Sequence, residues 1–214
     1  MASKTFHELF LDELRDLYSA ENQIIKALPK LITAASNAEL GRALTSHLDE
    51  THAQVERLQR IFDDLGESPK GKKCKGMEGL LEEGDEHVKE VPRGSRRDAV
   101  IIAGAQRVEH YEISGYGTAR AWAEQMQHDV AVSLLGRTLD EEAAADEKLT
   151  KIALGRVLGE GVNEQAEEGG GGRSGTKSAA RKKASSKKGG KRGKSSGRKS
   201  SKKKGGKKKA GRRG

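Results

Sequence analysis

Residues 102–126, IAGAQRVEHYEISGYGTARAWAEQM, decide how this chain is read. At helical spacing their inner positions run Ile102, Ala105, Glu109, Glu112, Tyr116, Ala119, Ala123 and Met126. Such a stripe is the face by which a helix packs into a bundle. Two of its positions carry carboxylates, which a purely apolar seam would exclude. Ser95 or Asp98 can start this helix, predicted over 96–127, and Asp129 can cap the next, predicted over 130–154. The latter has the stripe Leu135, Leu139, Glu142, Asp146, Leu149 and Ala153, and a last helical piece is expected to continue to about Val162.

Toward the N-terminus the same pattern recurs twice. Phe10, Leu14, Leu17, Ile24, Leu28 and Leu31 mark a helix over 5–35, in which Pro29 predicts a kink or break. Ser36 with Glu39 forms the pattern of a capping box that opens a helix over 37–65. That helix has the seam His47, Gln54, Leu58, Ile61 and Leu65, and Gly66 ends it. Residues 66–95 are broken by glycines and prolines around one short amphipathic piece near Met77 to Val91. The order hairpin, long crossover, hairpin gives an all-α fold, a ferritin-like four-helix bundle, since a simple up-down bundle needs only short loops.

Residues facing each other in a helical hairpin lie equally far from its turn. Glu21 and Glu50 have their midpoint at 35.5, on the first turn; Glu112 and Glu142 at 127, and Glu109 and Asp146 at 127.5, on the second. Six carboxylates can therefore share one level. Converging ionised carboxylates repel one another and lose hydration, so they need protons or cations. Two divalent metal ions would satisfy them, and oxygen-rich ligation suits iron or manganese better than zinc, with magnesium and calcium as alternatives. His47, one turn from Glu50, reads as a hydrogen-bonded seam histidine, with ligation the alternative. Tyr18 and Tyr116 read as core packing, with hydrogen bonds to the carboxylates or electron transfer as the alternative. His110 points about 100 degrees away from Glu109, which argues against ligation. Trp122 flanks the stripe as a core or dimer contact.

The segment Gln106-Arg107-Val108-Glu109-His110-Tyr111-Glu112-Ile113, followed by Tyr116 and Gly117, resembles the signature of the YciE/YciF family of ferritin-like bacterial stress proteins. Tyr18-Ser19-Ala20-Glu21, Glu50-Thr51-His52-Ala53-Gln54, and Asp140-Glu141-Glu142 through Asp146-Glu147-Lys148-Leu149 are similar to its other helices. The resemblance covers about residues 4–155. It implies a dimeric bundle grouped with rubrerythrin-like di-iron proteins, in which Glu109 and Glu112 match paired glutamates and Glu21 and Glu50 single ones. The usual Glu-x-x-His is absent: Ala53 follows Glu50 and Ala145 follows Glu142 at that spacing. Gln54 and Asp146, one position further on, are the substitutes available, and ferroxidase or peroxidase-like activity depends on the site being occupied.

The chain carries a formal +9, which conceals two opposite polyions. Residues 1–168 hold 21 basic and 32 acidic groups, a balance of −11, while 169–214 hold 20 basic groups and no acidic one. The latter segment contains only Gly, Ser, Ala, Lys, Arg and one Thr. With nothing to bury, it is expected to be a disordered tail beside a single folded domain, 1–168. Its cations, chiefly Lys182, Lys183, Lys187, Lys188, Lys191, Arg192, Lys202, Lys203, Lys204, Lys207, Lys208, Lys209, Arg212 and Arg213, fit sequence-independent DNA binding through phosphates. RNA and anionic lipid compete for the same charge, and a solubilising appendage is the bland alternative. No aromatic residue interleaves them, which argues against stacking on single strands. A non-catalytic nucleoid-compacting protein, whose bundle only dimerises, is the alternative function.

Cys74 is the only cysteine, so an intramolecular disulfide is excluded. With no apolar leader and no run long enough to span a bilayer, the sequence reads as cytoplasmic and nucleoid-associated.

Overall fold

The structure, a computed structural model, describes residues 3–156 and 159–169. The expected tail lies outside the described residues. Six helices follow in order: α1 (Phe6–Ala34), α2 (Ala38–Leu65), α3 (Lys75–Glu90), α4 (Ser95–Gln125), α5 (Asp129–Ala153) and α6 (Val162–Glu168). α1 pairs with α2 and α4 with α5 as hairpins; α2 packs on α5 and α1 on α4, closing a four-helix bundle. The crossover carries α3, which lies against α4 and α1. Among the described residues no strand is present, and no helix is long and apolar enough to cross a membrane.

Local chemistry sets the helix ends, in places differently from the sequence expectation. Thr5 and Glu8 form a reciprocal capping box at the start of α1. Pro29 does not break that helix: it lies exposed, and α1 runs on through Ala34. The expected box of Ser36 and Glu39 is replaced by Asn37, whose side chain accepts from the amides of Glu39 (2.9 Å) and Leu40 (3.0 Å). The amides of Ser36 and Asn37 instead donate to the two oxygens of Asp98, at 2.7 and 2.9 Å. Asp98 is thus no cap of its own helix; it is buried and binds the N-terminus of α2, where the helix dipole favours an anion. Gly66 adopts the left-handed conformation that closes α2, at φ 68°.

His128, not Asp129, stands at the cap position of α5. That helix ends at Ala153, so the expected extension to Val162 is replaced by a turn and the separate α6. A Cβ at Gly155 would lie 2.4 Å from the amide nitrogen of Gly161, which keeps side chains out of that turn.

The bundle holds two apolar cores. One gathers Ile24, Leu28, Leu40, Leu44, Ile101, Ile102, Leu149 and Ile152 with Met77 and Val162 from the crossover and the last helix. The other gathers Phe10, Leu14, Leu17, Leu58, Ile61, Phe62, Tyr116 and Leu135. Between them along each long helix stand the buried polar residues Glu21, His47, Thr51, Gln54, Glu109, Glu112 and Glu142. At about 25 cal/mol per Å² of apolar surface, the two cores supply the driving force that lets such a layer persist.

Candidate metal centre

The polar layer draws one or more residues from each long helix of the bundle. α1 supplies Glu21, α2 supplies His47 and Gln54, α4 supplies Glu109 and Glu112, and α5 supplies Glu142. Glu21, Glu112 and Glu142 are wholly buried, Glu109 is 2% exposed and His47 7%. One ligand atom from each of His47, Glu109, Glu112 and Glu142 lies within 4.8 Å of the other three. Nε2 of His47 is 3.5 Å from Oε1 of Glu109.

Few internal donors serve these acids. The Tyr116 hydroxyl donates to Oε1 of Glu21, and the Gln54 amide donates to Oε1 of Glu142. Both nitrogens of His47, both oxygens of Glu112, and one oxygen each of Glu21, Glu109 and Glu142 make no hydrogen bond, nor does Oε1 of Gln54. Buried polar atoms are almost always paired, so this concentration in one layer leaves a set of free ligand atoms that could hold a cation.

Electrostatics agrees. Burial pushes the Glu21, Glu109 and Glu112 carboxyls well above the usual range, and the neighbouring carboxylates push them further. Burial also raises Glu142, against the opposing influence of Glu109 and the nearby His47. Tyr116 is raised well above its ordinary value, by burial and then by Glu21 and Glu112. A divalent cation would replace the protons that this environment otherwise demands.

Two of the acids expected at this level stand apart from the group. Glu50 has a side chain 42% exposed; its Oε1 accepts from Ser46 at 3.2 Å, and its Oε2 lies 3.8 Å from Nδ1 of His47. His47 is the largest influence holding Glu50 below the usual carboxylate range. Asp146 accepts from the Gln106 amide at 2.9 Å, with Nε2 of the exposed His110 at 3.5 Å. Neither nitrogen of His47, expected as a hydrogen-bonded seam histidine, makes a hydrogen bond; the nearest acceptors are Glu109 at 3.5 Å and Glu50 at 3.8 Å. Tyr116 does bond a carboxylate, while Tyr18 packs edge-on against Phe62 at 6.4 Å. Trp122 packs against Phe6 at 5.5 Å.

Sequence reasoning passed over Arg57 and Glu141. Arg57, one turn beyond Gln54, is buried and donates to Thr138 (2.6 Å) and to Glu141 (2.8 Å). It is a fixed cation beside the carboxylate layer and acts to lower Glu21. An arginine three residues from a seam glutamine, with tandem acids on the facing helix, was the available signal.

The fold and the site together define a ferritin-like, all-helical bundle with a buried histidine and glutamate cluster that could hold a metal ion. Residues 5–167 match the family described as "Domain of unknown function (DUF892)", and the chain belongs to that family. Protein YciF of Escherichia coli strain K12 is 44% identical over 168 residues, spanning 78% of this chain and 98% of that protein. Among solved structures, the E. coli stress protein YciF superposes with a TM-score of 0.68 at 46% identity, covering 72% of this chain and 98% of that one. YcfI from Rhodopseudomonas palustris gives 0.69 at 50% identity, covering 71% and 96%. A protein from Xanthomonas campestris, at 17% identity and a TM-score of 0.56, shares the fold.

Proposed function

We propose that this protein is a bacterial stress-response bundle that binds two divalent ions, iron or manganese, in its carboxylate layer and attaches to DNA through its basic C-terminal segment. One observation carries the metal reading: His47, Glu109, Glu112 and Glu142 converge in the interior with most of their ligand atoms unpartnered. The stress-response part rests on the likeness to the E. coli stress protein YciF.

The residues fit a hard or borderline cation. Carboxylate oxygens and one imidazole suit iron or manganese, and the absence of nearby thiolate disfavours a soft metal. Glu112, buried with both oxygens free of hydrogen bonds, would be among the residues that hold the metal. Tyr116 orients Glu21, and Gln54 orients Glu142. A bound iron or manganese ion would supply Lewis-acid and one-electron redox chemistry. Apolar cores flank the layer on either side along the bundle.

Charge supports the DNA arm: residues 169–214 contribute 20 basic groups and no acid, opposite a folded part of −11. Counterion release makes such binding salt-sensitive and indifferent to base sequence. Metal analysis after anaerobic ferrous loading should return about two ions per chain, the number set by the size of the ligand set. No metal, or undiminished binding after Glu109→Ala with Glu112→Ala, refutes the metal reading.

The competing reading, a nucleoid-compacting protein without a working metal site, rests on the same basic segment. It requires DNA binding that is unaffected by metal together with an empty carboxylate layer after loading.

A further inference from the structure

We infer that the cleft between α2 and α5 is the port through which a divalent cation reaches the carboxylate layer, with Glu50 at its mouth and His47 as its inner gatepost. This rests on the reading of that layer as a metal centre. The cleft encloses a cavity of about 220 Å³ whose lining includes His47, Glu50, Glu109, Ala144 and Ala145. It is a cavity that has both a partly exposed carboxylate and two members of the converging ligand set in its wall.

Burial grades along it. The side chain of Glu50 is 42% exposed, that of His47 9% and that of Glu109 3%. The imidazole lies between the two acids, Nδ1 3.8 Å from Glu50 and Nε2 3.5 Å from Glu109. A cation moving inward therefore meets a ligand atom at each step. Glu141, also in the wall, is already held by Arg57 and Arg137, so Glu50 is the acid left to meet an arriving ion, with Lys148 the one cation of the wall near enough to act on it.

The α1 and α4 side and the two ends of the layer are closed. α1 and α4 approach so closely that a Cβ at Gly115 would lie 2.8 Å from Leu17, and apolar cores close the layer above and below. On the α2 and α5 side the opposite holds, because Ala144 and Ala145 give the cleft small walls. Ala145 stands three residues after Glu142, where a Glu-x-x-His helix would place an imidazole. The missing ring leaves room for passage.

The test uses the full chain, stripped with a chelator, and Co²⁺ as an optical probe. Stopped-flow absorbance gives the rate of entry, and equilibrium dialysis gives the number bound. Ala145→Leu should slow entry by at least about tenfold while the number bound stays the same, because a rate difference of that size corresponds to about 1.4 kcal/mol of barrier. Ala144→Leu, at an exposed position where folding is not at stake, should slow it in the same direction, and Ser114→Leu on the exposed side of α4 should leave it unchanged. Unaltered rates in both alanine variants, with normal binding, overturn the port and leave the metal centre standing. An unmodified chain that binds no Co²⁺, Fe²⁺ or Mn²⁺ overturns the centre itself.

Discussion

Glu112→Gln should make the metal-free protein more stable at neutral pH, although it removes a ligand. Glu112 is fully buried, neither of its oxygens is hydrogen-bonded, and its carboxyl is raised by burial and then by Glu21, Glu142 and Glu109. The folded chain therefore keeps this proton to a higher pH than the unfolded chain, whose glutamates titrate at about 4.3. The sign follows from linkage. The contribution is fully present below that pH, is eroded as pH climbs, and is lost once pH passes the raised folded value.

Over that interval one retained proton corresponds to about 1.4 kcal/mol per pH unit. For a folded part of this size, 1 kcal/mol moves the melting temperature by about 2–4 °C. Chelator-treated wild type should therefore lose about 3–6 °C per pH unit more than Glu112→Gln across the neutral range. Melting curves of both proteins from pH 5 to pH 8, followed by helical circular dichroism, measure the difference directly. Equal slopes, or a wild type that gains stability relative to the variant as pH rises, would refute the account of a protonated, cation-seeking layer. Saturating metal should narrow that gap, stabilising the wild type by about 2.7 kcal/mol per bound ion at a hundredfold excess over the dissociation constant.

Deleting residues 169–214 should invert the protein's charge from +9 to about −11 while the helical content is kept. A segment engaging about ten phosphates gives a log-log salt slope of about −9, and the deletion should abolish it in a fluorescence titration with duplex DNA. Asp98→Ala strips two amide partners from the N-terminus of α2 and should cost about 2–4 kcal/mol in urea unfolding, since each bond involves a charged acceptor. Cys74 should resist thiol reagents until the protein unfolds: it is buried, its sulfur accepts from the Met77 amide and lies 3.0 Å from the Tyr111 hydroxyl, and burial raises its pKa. Rapid labelling in the native state would contradict that placement.

Lys73 and Lys75 flank Cys74 in the sequence, yet the structure turns its thiol inward as the cap of α3. Linear neighbours described the wrong environment. His47 shows the same limit in the other direction. Its position in the seam was legible, but whether it had a partner depended on which atoms of α4 and α5 came near. Caps were also misplaced by a residue or so: Asn, Ser and Asp all serve as caps, and the choice among them at α2 was decided by Asp98, sixty-one residues from Asn37.

Periodicity alone determined the four long helices, their two hairpins and the long crossover, because the 3.6-residue repeat and the turn residues are properties of adjacent sequence. It also determined that Glu21, Glu109, Glu112 and Glu142 stand at one level, since equal distance from a hairpin turn is a counting argument. Composition established the division between an acidic folded part and a basic segment. Tertiary structure alone decided that Glu50 lies at the mouth of a cleft and Asp146 against Gln106 while the four glutamates and His47 lie within. Level along a bundle is set by residue number, but depth toward its axis is set by the rotation of each helix against its neighbours, and that rotation comes from packing across the whole fold.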